Sequence, residues 1–389
     1  MIIGGGLVGG TLAIALANQG IQTTVIDRDP INTITNPALD GRTTAISFGS
    51  QKIFANLGIW EDISPFAQPI LDIRVFEKDS PWAVYYDHQD LGKDPMGYIV
   101  QNHIIRNAIA QKALSLSQNL EWLAPFEFKK SCYHASHIEV ELNDGLKHSA
   151  ALLVGAEGRN SPTRTQANIK TTTWEYGQNA LVVHVAHEKP HEGVAWEIFM
   201  PQGPLAFLPL LDCPLTGRHR SGIVWVDSKD NINSLLAASD QDLSKTLLAH
   251  FPFYGEVSVS GQRWSYPLSA LKVDKLIDKR FAIVGDAAHV VHPIAGQGVN
   301  LGWRDARTLA DVIIDAQKLG LDIGSDTVLK NYQKQRKLDH LSVLGLTDGI
   351  NLLFSNNSSA LHFLRNTGFA LVNNTKPLKR FLMKKAMGI

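Results

Sequence analysis

Cysteine is nearly absent from this chain: Cys132 and Cys213 are the two among 389 residues. Two are too few for a disulfide framework and lack the spacing of metal ligands. A reducing cytosol suits them. Net charge is absent too, with 37 basic against 37 acidic residues, and no nucleic-acid partner is expected. No apolar run reaches the roughly 18 residues of a membrane span. No basic flank and cleavage site of a signal peptide opens the chain. Nor is there a G-x-S-x-G elbow, a P-loop or a paired-cysteine redox motif, an internal repeat or a low-complexity segment.

What remains is ordinary globular material, 44% hydrophobic and 19% charged, long enough for two domains. The zero net charge is unevenly placed. From residue 351 onward stand Arg365, Lys376, Lys379, Arg380, Lys384 and Lys385 with no Asp or Glu, so this tail is +6 and the rest −6. Leu361, Phe363, Leu364, Phe369, Leu371, Val372, Leu378, Phe381, Leu382 and Met383 are interleaved. A basic amphipathic end suits an anionic membrane surface; a solvated face on a packed helical pair reads the same way. The expected location is cytoplasmic, peripheral at the inner face of the membrane.

The N-terminus carries the first chemical signal. Ile2 and Ile3 look like the end of a buried strand; only Met1 precedes them, so the strand is expected to begin upstream of this Met. Gly4-x-Gly6-x-x-Gly9 follows. Residues 7–19 then place Val8, Leu12, Ala15 and Leu16 at helical spacing, with Gly20 as a C-cap. Thr23 to Ile26 is a β-branched strand with Asp27 at its end. Gly4 allows a tight turn, Gly6 lets backbone approach a pyrophosphate, and Gly9 lets helix and strand pack closely. The helix N-terminus offers N–H groups and positive dipole to phosphate. Asp27, 18 residues past Gly9, stands where a ribose-binding acid belongs. This region predicts dinucleotide binding and does not separate FAD from NAD.

Leu152 to Gly155 and Phe281 to Gly285 read as buried strands of a parallel sheet covered on both faces. Residues 103–118 and 301–318 read as helices. Between about 176 and 266 the texture changes to strands broken by Pro and Gly, a mixed or antiparallel sheet, which a hairpin over 71–88 joins. The expected fold is α/β: a discontinuous Rossmann-like FAD-binding domain (1–70, 96–175 and 267–345), an inserted mixed β-sheet substrate domain (71–95 and 176–266) and a C-terminal basic amphipathic helical segment (346–389).

A second stretch runs VGDAAHVVHPIAGQGVNLGWRDA, from Val284 to Ala306. Asp286 stands at the end of a parallel strand, where such sheets bind ligands. A helix starting near Gly298 aims its N–H groups at negative charge. Gly285-Asp286, Pro293 and Gly296-Gln297-Gly298-Val299-Asn300-Leu301-Gly302 resemble the para-hydroxybenzoate hydroxylase type of flavoprotein hydroxylase. Within that group the whole chain is most similar to the ubiquinone-biosynthesis hydroxylases of the 2-polyprenyl-6-methoxyphenol hydroxylase type. The resemblance implies that Asp286 holds ribityl or ribose hydroxyls of FAD and that the backbone from Gly296 to Asn300 lies at the flavin ring. It also implies NAD(P)H or a partner reductase as electron donor, and O2 activated as a flavin C4a-hydroperoxide. The substrate is then a polyprenylated phenol, within a ubiquinone-biosynthesis complex. The chemistry is flavin-borne, so no catalytic side chain and no metal are assigned.

Three further segments resemble the same family. Gly155 to Arg164 matches its GADGxxSxxR segment, with Glu157 in place of Asp, which keeps the charge and lengthens the side chain. Asp40-Gly41-Arg42-Thr43-Thr44-Ala45 matches D-x-R-x-x-A, whose Arg reaches the FAD. Tyr98 to Asn107 matches a cofactor-lining segment, in which Gln101 either bonds the FAD or caps a helix. His187-Glu188-Lys189-Pro190-His191 matches H-E-x-x-H, but zinc chemistry needs both His on one helical face, and Pro190 breaks that helix. His289 and His292 fall near the flavin by motif, each without an evident partner.

Overall fold

A computed structural model describes every residue except 37–39, 79, 81–82, 355–364, 366–367 and 370. Leu361, Phe363 and Leu364 of the tail therefore lie outside the described residues.

Short apolar β-branched runs build a six-stranded sheet in the order Ile277–Asp278, Phe281–Ile283, Leu153–Gly155, Ile2–Ile3, Thr23–Ile26, Leu120–Leu123. All neighbours are parallel except the first pair. The central strands Phe281–Ile283, Leu153–Gly155 and Ile2–Ile3 are buried without alternation, as a sheet covered on both faces requires. Helices Leu7–Ala17, Asn102–Ser115 and Gln297–Lys318 pack on it and on one another. The register aligns the strand ends. Ile3 pairs with both Gly155 and Ile26, and Gly155 pairs with Ile283. The chain therefore leaves four strands at one level, and the loops after Ile3, Ile26, Gly155 and Ile283 meet at the carboxyl edge of the sheet.

The second sheet has eight strands: His289–Val290, Val257–Val273, Thr171–His187, His219–Ser228, Gly203–Leu210, Val194–Met200, Asp72–Glu77, Ala83–Asp87. It is mixed, because Val194–Met200 runs parallel to Asp72–Glu77 and the other pairs are antiparallel. The two-residue period of its strands sends Leu181, Val183, Val185, Phe207 and Ile223 to one face. There they meet Leu243, Leu247 and Phe251 beneath helices Lys229–Ala237 and Asp240–His250. The other face presents Ala195 and Leu210 to Ile70, Ile99 and Ala45. Ala45 and Ile99 belong to a small sheet of Thr43–Ser47, Gly97–Gln101 and Gln68–Ile70. A three-stranded meander over residues 128–150 flanks the parallel sheet.

Helix Asp326–Phe354 and the C-terminal helix Lys376–Met387 complete the body. Among the described residues, no helix is long and apolar enough to cross a membrane.

Candidate functional site

The glycine turn is built for close approach. Gly4 has φ +97°, and a Cβ there would stand 2.5 Å from the Ala156 carbonyl oxygen. A Cβ on Gly9 would stand 2.0 Å from the Gly4 oxygen, so no side chain fits between turn and helix. Gly6 is different: its Cβ would meet nothing within 4 Å. That open side, above a helix with no side-chain cap and no acid in its first turn, is a cradle for a diphosphate. Asp27 lies beside it. One carboxylate oxygen accepts the Gly5 N–H at 2.6 Å and the other the Asp29 N–H at 2.9 Å. The acid fixes the turn as well as facing the cleft.

Asp286 follows strand Phe281–Ile283, whose end is level with Ile3 across Gly155. Protein surrounds it and pushes its carboxyl up, while His289, Arg42 and Arg159 act the other way. Its side chain remains exposed to water, which relieves part of that push. Pro293 opens a tight turn that Gly296 closes, with the Gly296 N–H on the Pro293 carbonyl at 2.9 Å. Gly296 then caps the 297–318 helix without a side-chain cap, and no acid follows in the first turn. Helix geometry leaves the Gly298 and Val299 N–H groups outside the intrahelical ladder, and both residues are half-buried. Val299 also packs on the core. The helix begins one residue before the expected Gly298.

Asn300 serves the loop through its side chain. Its Oδ1 accepts the Ser47 N–H at 2.9 Å, and its Nδ2 donates to Ala45 and Gly296 carbonyls at 2.7 and 2.9 Å. Fully buried, it ties the Pro293–Gly296 turn to strand Thr43–Ser47 and has only backbone to offer a ring. Gln297 donates through Nε2 to the Ala386 carbonyl at 3.2 Å, which joins this loop to the C-terminal helix.

The three flanking segments divide in a similar way. Arg42 forks onto Asp40 with two bonds of 2.8 Å and lies 5.1 Å over the Tyr266 ring. Asp40 is buried; Arg106 at 3.1 Å and Asn102 at 3.1 Å complete its shell. Burial pushes the Asp40 carboxyl up, but Arg42 and Asn102 outweigh it and hold it below the ordinary range. Gln101 stands at the N-cap of the 102–115 helix without a side-chain cap bond, so the capping role is not the one it plays. Glu157 turns into its own loop. Its oxygens accept Ser161 Oγ at 2.9 Å and the Thr163 N–H at 3.1 Å. Burial raises its carboxyl against those bonds. The extra methylene relative to Asp is thus absorbed in bonding the start of the following short helix, while the Glu157 backbone backs the Gly4 turn. Arg164, buried, donates to the Arg159 and Ala287 carbonyls at 2.8 and 3.0 Å and ties this loop to the Asp286 turn.

The expectation that His289 and His292 lack partners is corrected. His289 Nε2 lies 2.7 Å from Asp305, and His292 Nε2 lies 3.4 Å from Gln178. Neither partnership is local in sequence, which is why inspection of the motif missed it. Asp305 itself was missed. It sits at 0% exposure in contact with His289, His340 and Arg336. The signal was available: Leu301, Asp305, Leu309 and Val312 share the buried stripe of one helix, and a charge in such a stripe needs a partner. His289, Asp305 and His340 have metal-ligand proximity, but each His bonds Asp305 at hydrogen-bond distance and Arg336 already supplies the cation. In the H-E-x-x-H segment, His187 bonds Lys189 and Ser221, and His191 bonds Leu210 and Gly193. Both ring nitrogens of each are taken, as a turn between strands implies.

The C-terminal helix lies over this region. Met383 and Met387 bury against Met96, Phe48, Ile73 and Tyr86, and Lys379 meets Asp90 at 2.7 Å. Its outward side carries Lys376, Arg380, Phe381, Lys384 and Lys385, all exposed.

Comparison with known proteins agrees with this geometry. The family described as FAD binding domain matches residues 1–343. The chain is 39% identical to ubiquinone hydroxylase UbiL of Rhodospirillum rubrum, over all of this chain and 89% of that protein. It is 33% identical to 3-demethoxyubiquinol 3-hydroxylase of Escherichia coli, over all of this chain and 98% of that one. The solved structure of PqsL, a probable FAD-dependent monooxygenase from Pseudomonas aeruginosa, superposes with a TM-score of 0.78 at 20% identity, over 95% of this chain and 98% of that one.

Proposed function

The chain belongs to the FAD-binding-domain family and stands close to its ubiquinone hydroxylases, and from that premise we propose that it hydroxylates the aromatic ring of a polyprenylated phenol in ubiquinone biosynthesis. FAD, when bound, supplies the electron transfer and O2 activation that no side chain provides. NAD(P)H or a partner reductase is the electron source.

One observation carries the substrate class. The Gly296 turn rests on Ala45, and Ala45 packs with Ile70, Ile99, Ala195 and Leu210 where the small sheet meets the eight-stranded one. Beside it, Ile294 of the same loop packs with Val84 and Phe199. Apolar surroundings of this kind suit a ring with an isoprenoid tail and keep water from the reacting centre.

The chain's own residues have distinct tasks in this reading. Gly4, Gly6 and Gly9 shape the diphosphate cradle. Asp27 and Asp286 accept hydroxyls of the adenosine ribose and the ribityl chain. Arg42 and Gln101 line the cleft. The start of the 297–318 helix stabilises negative charge on the ring system. Glu157, Pro293, Gln297 and Asn300 hold the backbone around it. Segments 1–70, 96–175 and 267–345 serve FAD, 71–95 and 176–266 the substrate, and 346–389 the outer cover.

The outward basic side of the C-terminal helix, with exposed Phe381 at its centre, suits an anionic bilayer from which a lipid-borne phenol is drawn. Each basic residue near such a surface is worth about 1 kcal/mol.

The test is turnover. Purified protein loaded with FAD should add one oxygen to a prenylphenol, consuming NAD(P)H and O2 in step, as read by mass spectrometry. Bound FAD without turnover on any prenylphenol, even with a reductase supplied, would reject the reading. A gene deletion should accumulate one prenylphenol, whose structure identifies the ring carbon.

A further inference from the structure

The buried charge cluster around Asp305 acts on the cofactor site from behind. Asp305 Oδ2 accepts the backbone N–H of Gly285 at 3.1 Å, the residue before Asp286. The same oxygen bonds His289 Nε2 at 2.7 Å, three residues after Asp286. Both ends of the turn that presents Asp286 are thus held by one carboxylate. Gly285 has φ +62°, a left-handed conformation that glycine adopts without steric cost, so the turn can bring both N–H donors onto one carboxylate.

The other oxygen is fixed by a second helix. Asp305 Oδ1 accepts Arg336 Nε at 2.7 Å and lies 2.6 Å from His340 Nε2. Arg336 continues to Asp339 at 2.7 Å, which also bonds Arg304 at 2.8 Å. One turn earlier, Tyr332 Oη donates to the Ile283 carbonyl at 2.8 Å, at the end of the strand that leads into the turn. Tyr332, Arg336 and His340 are four residues apart, so they form one stripe of the 326–354 helix, and the whole stripe is aimed at the base of the Asp286 turn.

We propose that Asp305 is a positioning residue for FAD: it couples the Tyr332–Arg336–His340 stripe to the Gly285–Asp286 turn and sets where the Asp286 carboxylate meets the cofactor's hydroxyls. It touches no part of the cofactor itself. The proposal rests on the reading of Asp286 as a cofactor ligand.

The experiment is a double-mutant cycle on FAD affinity, measured by flavin fluorescence as FAD is titrated into full-length apoprotein. Asp305→Asn should weaken FAD binding about 10- to 100-fold, the range found when an outer partner of a directly binding group is lost. In an Asp286→Ala background the same change should add no more than about twofold, because the lost hold then has nothing to position. His340→Gln keeps an N–H donor at the same oxygen and should stay within about threefold of wild type. Should Asp305→Asn fail to fold, His340→Ala removes one donor and enters the cycle in its place. Wild-type affinity in a folded Asp305 or His340→Ala variant, or losses that multiply with Asp286→Ala, would overturn the proposal. Unchanged affinity in Asp286→Ala alone would instead overturn the ligand role of Asp286.

Discussion

Gly6 and Gly9 share one motif and face opposite constraints. Gly6 has extended backbone, φ −66° and ψ −165°, which any residue adopts, and open space beside it. Gly6→Val should fold with wild-type thermal stability and lose FAD, since the branched side chain fills the cradle. Gly9→Ala should instead destabilise the apoprotein by about 1–3 kcal/mol through overpacking. Thermal melts of the two apoproteins separate the cases; equal destabilisation would contradict the assignment. His292 makes a second residue-scale prediction. It is fully buried, and burial lowers its pKa from 6.5 to about 4. The unfolded chain therefore binds a proton between pH 6.5 and about 4 that the folded chain refuses, so stability falls as pH drops through that window. From pH 7 to 5 the loss due to His292 is about 2 kcal/mol. Burial likewise lowers half-buried His184 to about 4. In urea titrations His292→Asn should show a shallower loss between those two pH values than wild type, with the His184 part remaining. An identical slope would show that His292 is not held neutral.

At the scale of elements, the informative pieces are the two long helices and the C-terminal one. The 297–318 helix presents its first turn to the Gly296 loop and its apolar stripe to the core, so in the proposed function one element both binds and anchors. Its helical character over 301–318 was readable in the sequence. The C-terminal helix was readable as basic and amphipathic, but its inner contacts were not. Met383 and Met387 seat it on Met96, and Gln297 bonds its last turn, so it packs on the Pro293–Gln297 loop whether or not its outer side meets lipid. Cutting the chain before residue 351 would also strip Phe354 and Phe369 from a buried cluster. Charge reversal tests the outer face more cleanly. Replacing Arg380, Lys384 and Lys385 with Glu should abolish flotation with anionic liposomes and leave the melting temperature within about 2 °C, since surface substitutions seldom shift stability far. Flotation equal to wild type would remove the membrane reading.

For the whole molecule, the site exists only where separate loops meet, so ligand and fold should be thermodynamically linked. FAD at 100 times its dissociation constant should add about 2.7 kcal/mol of stability. Calorimetric melts with and without FAD should show a higher transition that follows FAD concentration. A transition indifferent to FAD would mean that the converging loops do not form its site.

The sequence by itself determined the local devices: a strand–glycine–helix unit at Gly4 to Gly9, an Asp after two of the parallel strands at Asp27 and Asp286, and a helix start within a residue of Gly298. Each depends on neighbours within a few residues, through backbone sterics and helix geometry, so sequence spacing suffices. Only the tertiary structure decided which polar groups serve the cofactor and which serve the protein. Asn300 and Glu157 turned inward, and Asp305 emerged as the anchor of the Asp286 turn. Those outcomes depend on partners 255, 6 and 35 residues away. A buried polar group is satisfied by whatever packing brings near: Asn300 found a distant strand and Asp305 a distant helix, while Glu157 turned back onto its own loop.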